Sequence, residues 1–136
     1  MPKLLNPTLT QLKVMLWKVY SLCRRKKAAD FDGYVRCVTC GAKIKWERAQ
    51  LGHYYPRPEC PLSLFFSNIN TQIQCVQCNK WKHGNLTSYA LYLQRTYGRD
   101  VLEILSEMKL SLKNEQWTEE DFKSKIEMYK EKFKKL

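Results

Sequence analysis

A chain of 136 residues and 16.2 kDa has room for one domain and little more. Its 24 Lys and Arg against 13 Asp and Glu leave a formal charge of +11, which points to a polyanionic partner, nucleic acid first. With 44% hydrophobic and 12% aromatic residues it carries too much apolar surface for a disordered basic tail. Its longest apolar run, the five residues 89–93, falls far short of the ~20 that a membrane span needs.

The N-terminal MPKLLNPTLTQLK lacks the continuous apolar stretch of a secretory signal, so a cytoplasmic setting is expected. From Thr8 to about Ala29, Leu9, Leu12, Leu16, Val19 and Cys23 recur at steps of three and four, which predicts an amphipathic helix with Pro7 at its start. It ends in Arg24, Arg25, Lys26 and Lys27. Those cations complement the helix dipole as a solvated end, or they form a stripe that contacts DNA phosphates.

Residues 30–85 are broken by Gly33, Gly41, Gly52, Pro56, Pro58 and Pro61, and short pieces at 34–35 and 70–74 fit brief strands. Helical periodicity then returns in three pieces. Asn85 is placed to cap a helix carrying Leu86, Tyr89, Leu93 and Tyr97, which Gly98 stops. Val101, Leu102, Ile104, Leu105 and Met108 are expected to face inward on the next. The last begins at Thr118, whose spacing to Asp121 matches a capping box, with Phe122, Ile126, Tyr129 and Phe133 on one stripe. The fold class is α+β, organised as one unit over 1–136: a basic helical arm (1–36), an irregular core (37–85) and a helical scaffold (86–136). Their formal charges are +6, +4 and +1, so the polyanion is expected on the first two parts. Lys43, Lys45, Arg48, Lys80 and Lys82 extend the expected DNA-binding surface beyond the arm.

Cys37 and Cys40, then Cys75 and Cys78, form two C-x2-C knuckles separated by 34 residues. Two such pairs place four thiolates around one tetrahedral ion, and thiolate softness favours zinc, one per chain. Buried thiols or disulfides are the alternative, which a reducing compartment disfavours. Cys23 lies on the helix stripe and is expected in the core, whereas Cys60 sits between prolines with no evident partner. Four cysteines complete the ion's shell, so His53 and His83 are not needed as zinc ligands. Trp17, Trp46 and Trp81 are candidates for stacking on bases, with packing the competing role.

The order Cys pair, His53, Asn70, Cys pair, Asn79 resembles the HNH (His-Me finger) endonucleases. Gly52-His53-Tyr54, the Cys-x-x-Cys-Asn followed by Gly84-Asn85-Leu86, and Trp117-Thr118-Glu119-Glu120 narrow this to the phage NinG/Rap family of recombination endonucleases. The likeness runs from about Leu16 to Leu136. It implies a small zinc-stapled ββα-metal core with an N-terminal helix and C-terminal helices. It also implies a phage or prophage protein acting in the bacterial cytoplasm on branched DNA such as D-loops or Holliday junctions. Other phage recombination proteins are partners in such a setting, and a homodimer would suit a two-fold symmetric junction.

Phosphodiester hydrolysis needs a base for water and a cation for the phosphate and leaving oxygen, which a neutral His and one Mg²⁺ or Mn²⁺ supply. The resemblance assigns His53 as the base, Asn70 to orienting it or its loop, and Asn79 to the catalytic ion. Arg57 is placed to pair with the scissile phosphate. Many HNH enzymes carry an Asp before the catalytic His as a metal ligand, but Gly52 stands here, as it does in NinG-type sequences. His83, then Glu47 and Glu59, are the substitute ligands. Gly52 also keeps two other readings open: a non-catalytic zinc module that only binds nucleic acid, and an HNH nickase linked to phage DNA packaging or homing.

Overall fold

The computed structural model describes residues 6–56, 58 and 60–136. Helix α1 (Leu9–Ala28) begins at a capping box: Thr8 Oγ1 accepts from Gln11 N at 3.1 Å, and Thr8 N donates to Gln11 Oε1 at 2.8 Å. Pro7 therefore lies just outside the helix. The buried stripe is Leu12, Leu16, Tyr20 and Cys23, whereas Leu9 is exposed and Val19 only half-buried.

Two short antiparallel hairpins follow. Strand β1 (Tyr34–Arg36) pairs with β2 (Lys43–Lys45), and β3 (Gln50–His53) pairs with β4 (Thr71–Gln74). In the second hairpin Gly52 lies opposite Gln72 and His53 opposite Thr71. The connection between β3 and β4 carries a single helical turn, α2 (Leu62–Phe65). A π-helical turn, Gln77–Trp81, comes after β4, and α3 (Leu86–Tyr97), α4 (Val101–Ser111) and α5 (Glu119–Lys134) complete the chain. Thr118 and Asp121 form the expected capping box on α5, and Gly98 at φ 106° ends α3. The α+β class stands.

Three apolar clusters hold these elements. Tyr20, Val35, Ala49, Leu51 and Ile73 fill the space between α1 and the hairpins. Leu12 and Leu16 meet Phe122 and Ile126 where α1 packs on α5. Leu64, Tyr89, Leu93, Val101 and Leu105 join α2, α3 and α4. Each Val, Leu, Ile or Phe side chain among them contributes about 1.5–3 kcal/mol on burial. Among the described residues no helix is long and apolar enough to cross a membrane.

Some local expectations are corrected. Ile104 is 50% exposed, because Val101 and Leu105, one turn apart, are the fully buried side chains of α4 and Leu102 and Met108 pack half-buried beside them, leaving Ile104 at the edge of that face. Asn85 precedes α3 but makes no side-chain cap; its backbone is left-handed at φ 48°, and its amide donates to Cys78 Sγ at 3.5 Å. Cys60 does find a partner, donating to the Tyr55 carbonyl at 3.1 Å. His83, Gly84 and Asn85 all have positive φ, a costly run for the two non-glycine residues that marks this turn as over-determined by its surroundings.

Candidate functional site

The two knuckles meet. The sulfurs of Cys37, Cys40, Cys75 and Cys78 all lie within 4.8 Å of one another, and among the described residues no other group of three or more His, Cys, Asp or Glu does so. A tetrahedral ion with Zn–S bonds of about 2.3 Å places sulfurs about 3.8 Å apart. Cys40 Sγ and Cys75 Sγ stand 3.7 Å apart. The geometry and the softness of the donors fit a metal ion such as zinc.

The electrostatics of the cluster agree. Burial raises the Cys37 thiol, but hydrogen bonds from the Thr39 hydroxyl and from backbone groups hold it down to about 6. At Cys40 a backbone bond at Ala42 lowers the pKa, against desolvation and the other three thiols, which carry it up to about 12. Four crowded sulfurs resist full ionisation on their own, and a dication held among them would supply the missing positive charge.

His53 ends β3, half-buried, beneath α1. Its ring stacks on Trp17 at 4.8 Å and 24°, and the Phe65 ring lies 4.4 Å away. Nε2 is 2.9 Å from the Phe65 carbonyl oxygen. A carbonyl only accepts, so Nε2 carries the hydrogen in this contact, and in the neutral form of the ring the basic lone pair lies on Nδ1. Asn70, fully buried, secures this arrangement from behind. Its Oδ1 accepts from Tyr55 N at 2.9 Å and its Nδ2 donates to the Leu64 carbonyl at 3.2 Å. It thereby ties the loop that leaves His53 to the helical turn whose next carbonyl receives the imidazole.

Asn79 sits on the π-helical turn, directly after Cys78. Its Nδ2 donates to Gln50 Oε1 at 2.8 Å, and its Oδ1 faces Gly52, 2.9 Å from where a Cβ on that glycine would stand. His83 is exposed on the strained turn beyond, and Glu47 is exposed after β2. Neither belongs to a cluster of candidate ligands among the described residues. Arg57 and Glu59 lie outside the described residues.

The basic stripe divides. Arg24 donates to Tyr20 Oη, Thr71 Oγ1 and the Thr71 carbonyl at 2.9, 2.7 and 2.8 Å, and Arg25 to the Ser21, Trp46 and Glu47 carbonyls. Their charges remain, but these donors clamp α1 to the hairpins. Lys26 reaches over the Phe133 ring, while Lys27, Lys43, Lys45, Arg48, Lys80 and Lys82 are exposed. Trp17 and Trp46 pack against the core, whereas Trp81 is 74% exposed between Lys80 and Lys82.

Sequence reasoning missed Trp17 and Phe65 as the walls of His53, and it missed Gln74. A faint signal existed for the last: a glycine inside a strand marks a close approach of another group.

A family model described as Bacteriophage Lambda NinG protein matches residues 16–136. "Protein ninG" of Salmonella phage P22 is 32% identical over 107 residues, covering 77% of this chain and 49% of the relative. "Protein ninG" of Escherichia phage lambda is 31% identical over 107 residues, with the same coverage of 77% and 49%. The chain thus spans about half the length of these relatives. No solved structure matches it. The match over nearly the whole chain takes in both cysteine knuckles, His53 and the C-terminal helices, and it places the protein in the NinG family of lambda-like bacteriophages.

Proposed function

We propose that the chain is a metal-dependent DNA endonuclease with a zinc-stapled ββα-metal core, acting on branched recombination intermediates. The observation that carries this reading is the setting of His53. Its Nε2 is held by a backbone carbonyl, its ring is clamped by Trp17 and Phe65, and its basic Nδ1 serves as the proton acceptor for an attacking water. Asn70 acts as a positioning residue through the Tyr55 and Leu64 backbone.

Zinc held by Cys37, Cys40, Cys75 and Cys78 contributes structure and takes no part in the chemistry. When bound, a single Mg²⁺ or Mn²⁺ neutralises charge at the scissile phosphate and the leaving oxygen. The residues beside Gly52 fit such an ion: the buried Gln74 Oε1 has no hydrogen-bond partner among the described residues, and Asn79 Oδ1 faces the same spot. The exposed cations on β2 and around Trp81 engage phosphates, and Trp81 offers a stacking face for an unpaired base.

The test is cleavage of labelled branched and linear DNA with Mg²⁺ or Mn²⁺. Wild type is expected to cut branched DNA, and His53→Ala to lose roughly 100-fold or more of the rate. Binding without cleavage under either ion would favour the reading in which Gly52 marks a non-catalytic nucleic-acid-binding module. Cuts at fixed positions on a long duplex would favour a nickase.

A further inference from the structure

Gln74 is fully buried, and its amide is oriented by two bonds from Nε2: to the Gly84 carbonyl at 2.8 Å and to Thr39 Oγ1 at 3.1 Å. The Gly84 carbonyl can only accept, so the nitrogen must face it and Oε1 must point the other way. There Oε1 has no hydrogen-bond partner among the described residues. It presses against Gly52: a Cβ on that residue would stand 1.8 Å from Gln74 Oε1 and 2.9 Å from Asn79 Oδ1. Asn79 is oriented in the same way, its Nδ2 donating to Gln50 Oε1. Two amide oxygens therefore converge on the backbone just before His53. Two amide oxygens gathered on the same side of the Gly52 backbone are stabilised by a cation within reach of both, and hard divalent cations prefer oxygen ligands.

We propose that Gln74 Oε1 and Asn79 Oδ1 ligate the divalent ion, with Gln74 reaching across from β4 to replace the carboxylate that Gly52 cannot supply. This rests on the nuclease reading above. It accounts for the glycine, since any side chain at position 52 would displace the Gln74 oxygen. It also makes the protein's ligands neutral. Such a site binds Mg²⁺ or Mn²⁺ weakly on its own, and the DNA phosphate completes the shell, so ion and DNA bind together. Because Nε2 is anchored to one knuckle at Thr39 and to the turn beyond the other at Gly84, the ion site depends on the zinc frame.

The experiment measures Mn²⁺ affinity by electron paramagnetic resonance on zinc-loaded protein, with and without a non-cleavable phosphorothioate branched DNA. Wild type is expected to bind Mn²⁺ at least tenfold more tightly with DNA present. Gln74→Leu should lose about tenfold or more of that affinity while keeping its zinc, and Asn79→Asp should gain about tenfold without DNA, because ligand charge sets affinity at such sites. If Gln74→Leu loses zinc, Gly52→Ala serves instead, since it displaces the oxygen and deletes no polar group. Mn²⁺ affinity within twofold of wild type in a zinc-retaining Gln74→Leu or Gly52→Ala protein overturns this inference alone. If wild type neither binds Mn²⁺ nor cuts DNA, the nuclease reading falls with it.

Discussion

The α1–α5 pair and the hairpin beside the knuckles are stabilised in different ways. Where α1 meets α5, periodic apolar side chains do the holding: Leu12, Leu16, Phe122 and Ile126 are buried, and the charges on α5 pair locally, as Lys123 does with Glu119 at 2.6 Å. At β4 and the residue before it the buried polar groups are Asn70, Thr71, Gln72 and Gln74, bonded to backbone or hydroxyl groups as near as Leu64, Ser67 and Ile69 and as far as Tyr20, Gly84 and Tyr97. An apolar seam tolerates small shifts, but a buried amide that loses its partner is left unsatisfied at about 1–3 kcal/mol. The second region is therefore the one built for a fixed geometry, and it is the region that holds His53.

This contrast can be broken at several strengths. The largest effect is expected from Cys78→Ser or from zinc removal by chelation. Structural zinc contributes folding free energy of order 10 kcal/mol in small domains, so thermal melting should show the hairpin region unfolded. Leu16→Ala comes next, at about 2–5 kcal/mol by chemical denaturation, with zinc content unchanged. Trp81→Ala should leave the melting temperature where it is and weaken binding to branched DNA by roughly tenfold, the scale of one base–aromatic stack at about 1–3 kcal/mol. Full affinity in that variant would remove Trp81 from the DNA surface.

The smallest effect lies at the start of α5. Thr118→Ala should cost about 1 kcal/mol. The cap is also pH-dependent, because the Thr118 backbone N–H, which donates to Asp121 Oδ2 at 2.8 Å, and then the Thr118 side chain hold the Asp121 carboxyl below its ordinary value. A depressed carboxylate stabilises above its unfolded pKa, and that contribution is lost as pH falls through the folded one. The stability advantage of wild type over Asp121→Asn should accordingly shrink on acidification, as melting curves at neutral and acid pH would show.

Much of the helical frame was legible in the amino-acid sequence, because helix signals are local. The stripe of α5, its Thr118 box and the Gly98 stop all lie within a few residues of what they control. The capping box of α1 is equally local, at Thr8 and Gln11, and it leaves Pro7 outside the helix. Ile104 and Leu9 went astray because an apolar residue at the edge of a stripe reaches the core only if a neighbouring element covers it. Arg24 and Arg25 read as surface cations for the same reason. Nothing near them in sequence announces Thr71 or Trp46.

By itself, then, the sequence determined the helices, the α+β class and the pairing of two C-x2-C knuckles, since periodicity, caps and ligand spacing act over short stretches of chain. It also carried the marks by which the chain resembles its family. Only the tertiary structure decided which nitrogen of His53 faces the Phe65 carbonyl, which tryptophan stays exposed, and why a glycine precedes the histidine. The last case shows the physical reason most directly. The space beside Gly52 is filled by an oxygen from Gln74 on the neighbouring strand, and that contact exists only once β3 and β4 have paired and both knuckles have closed around them.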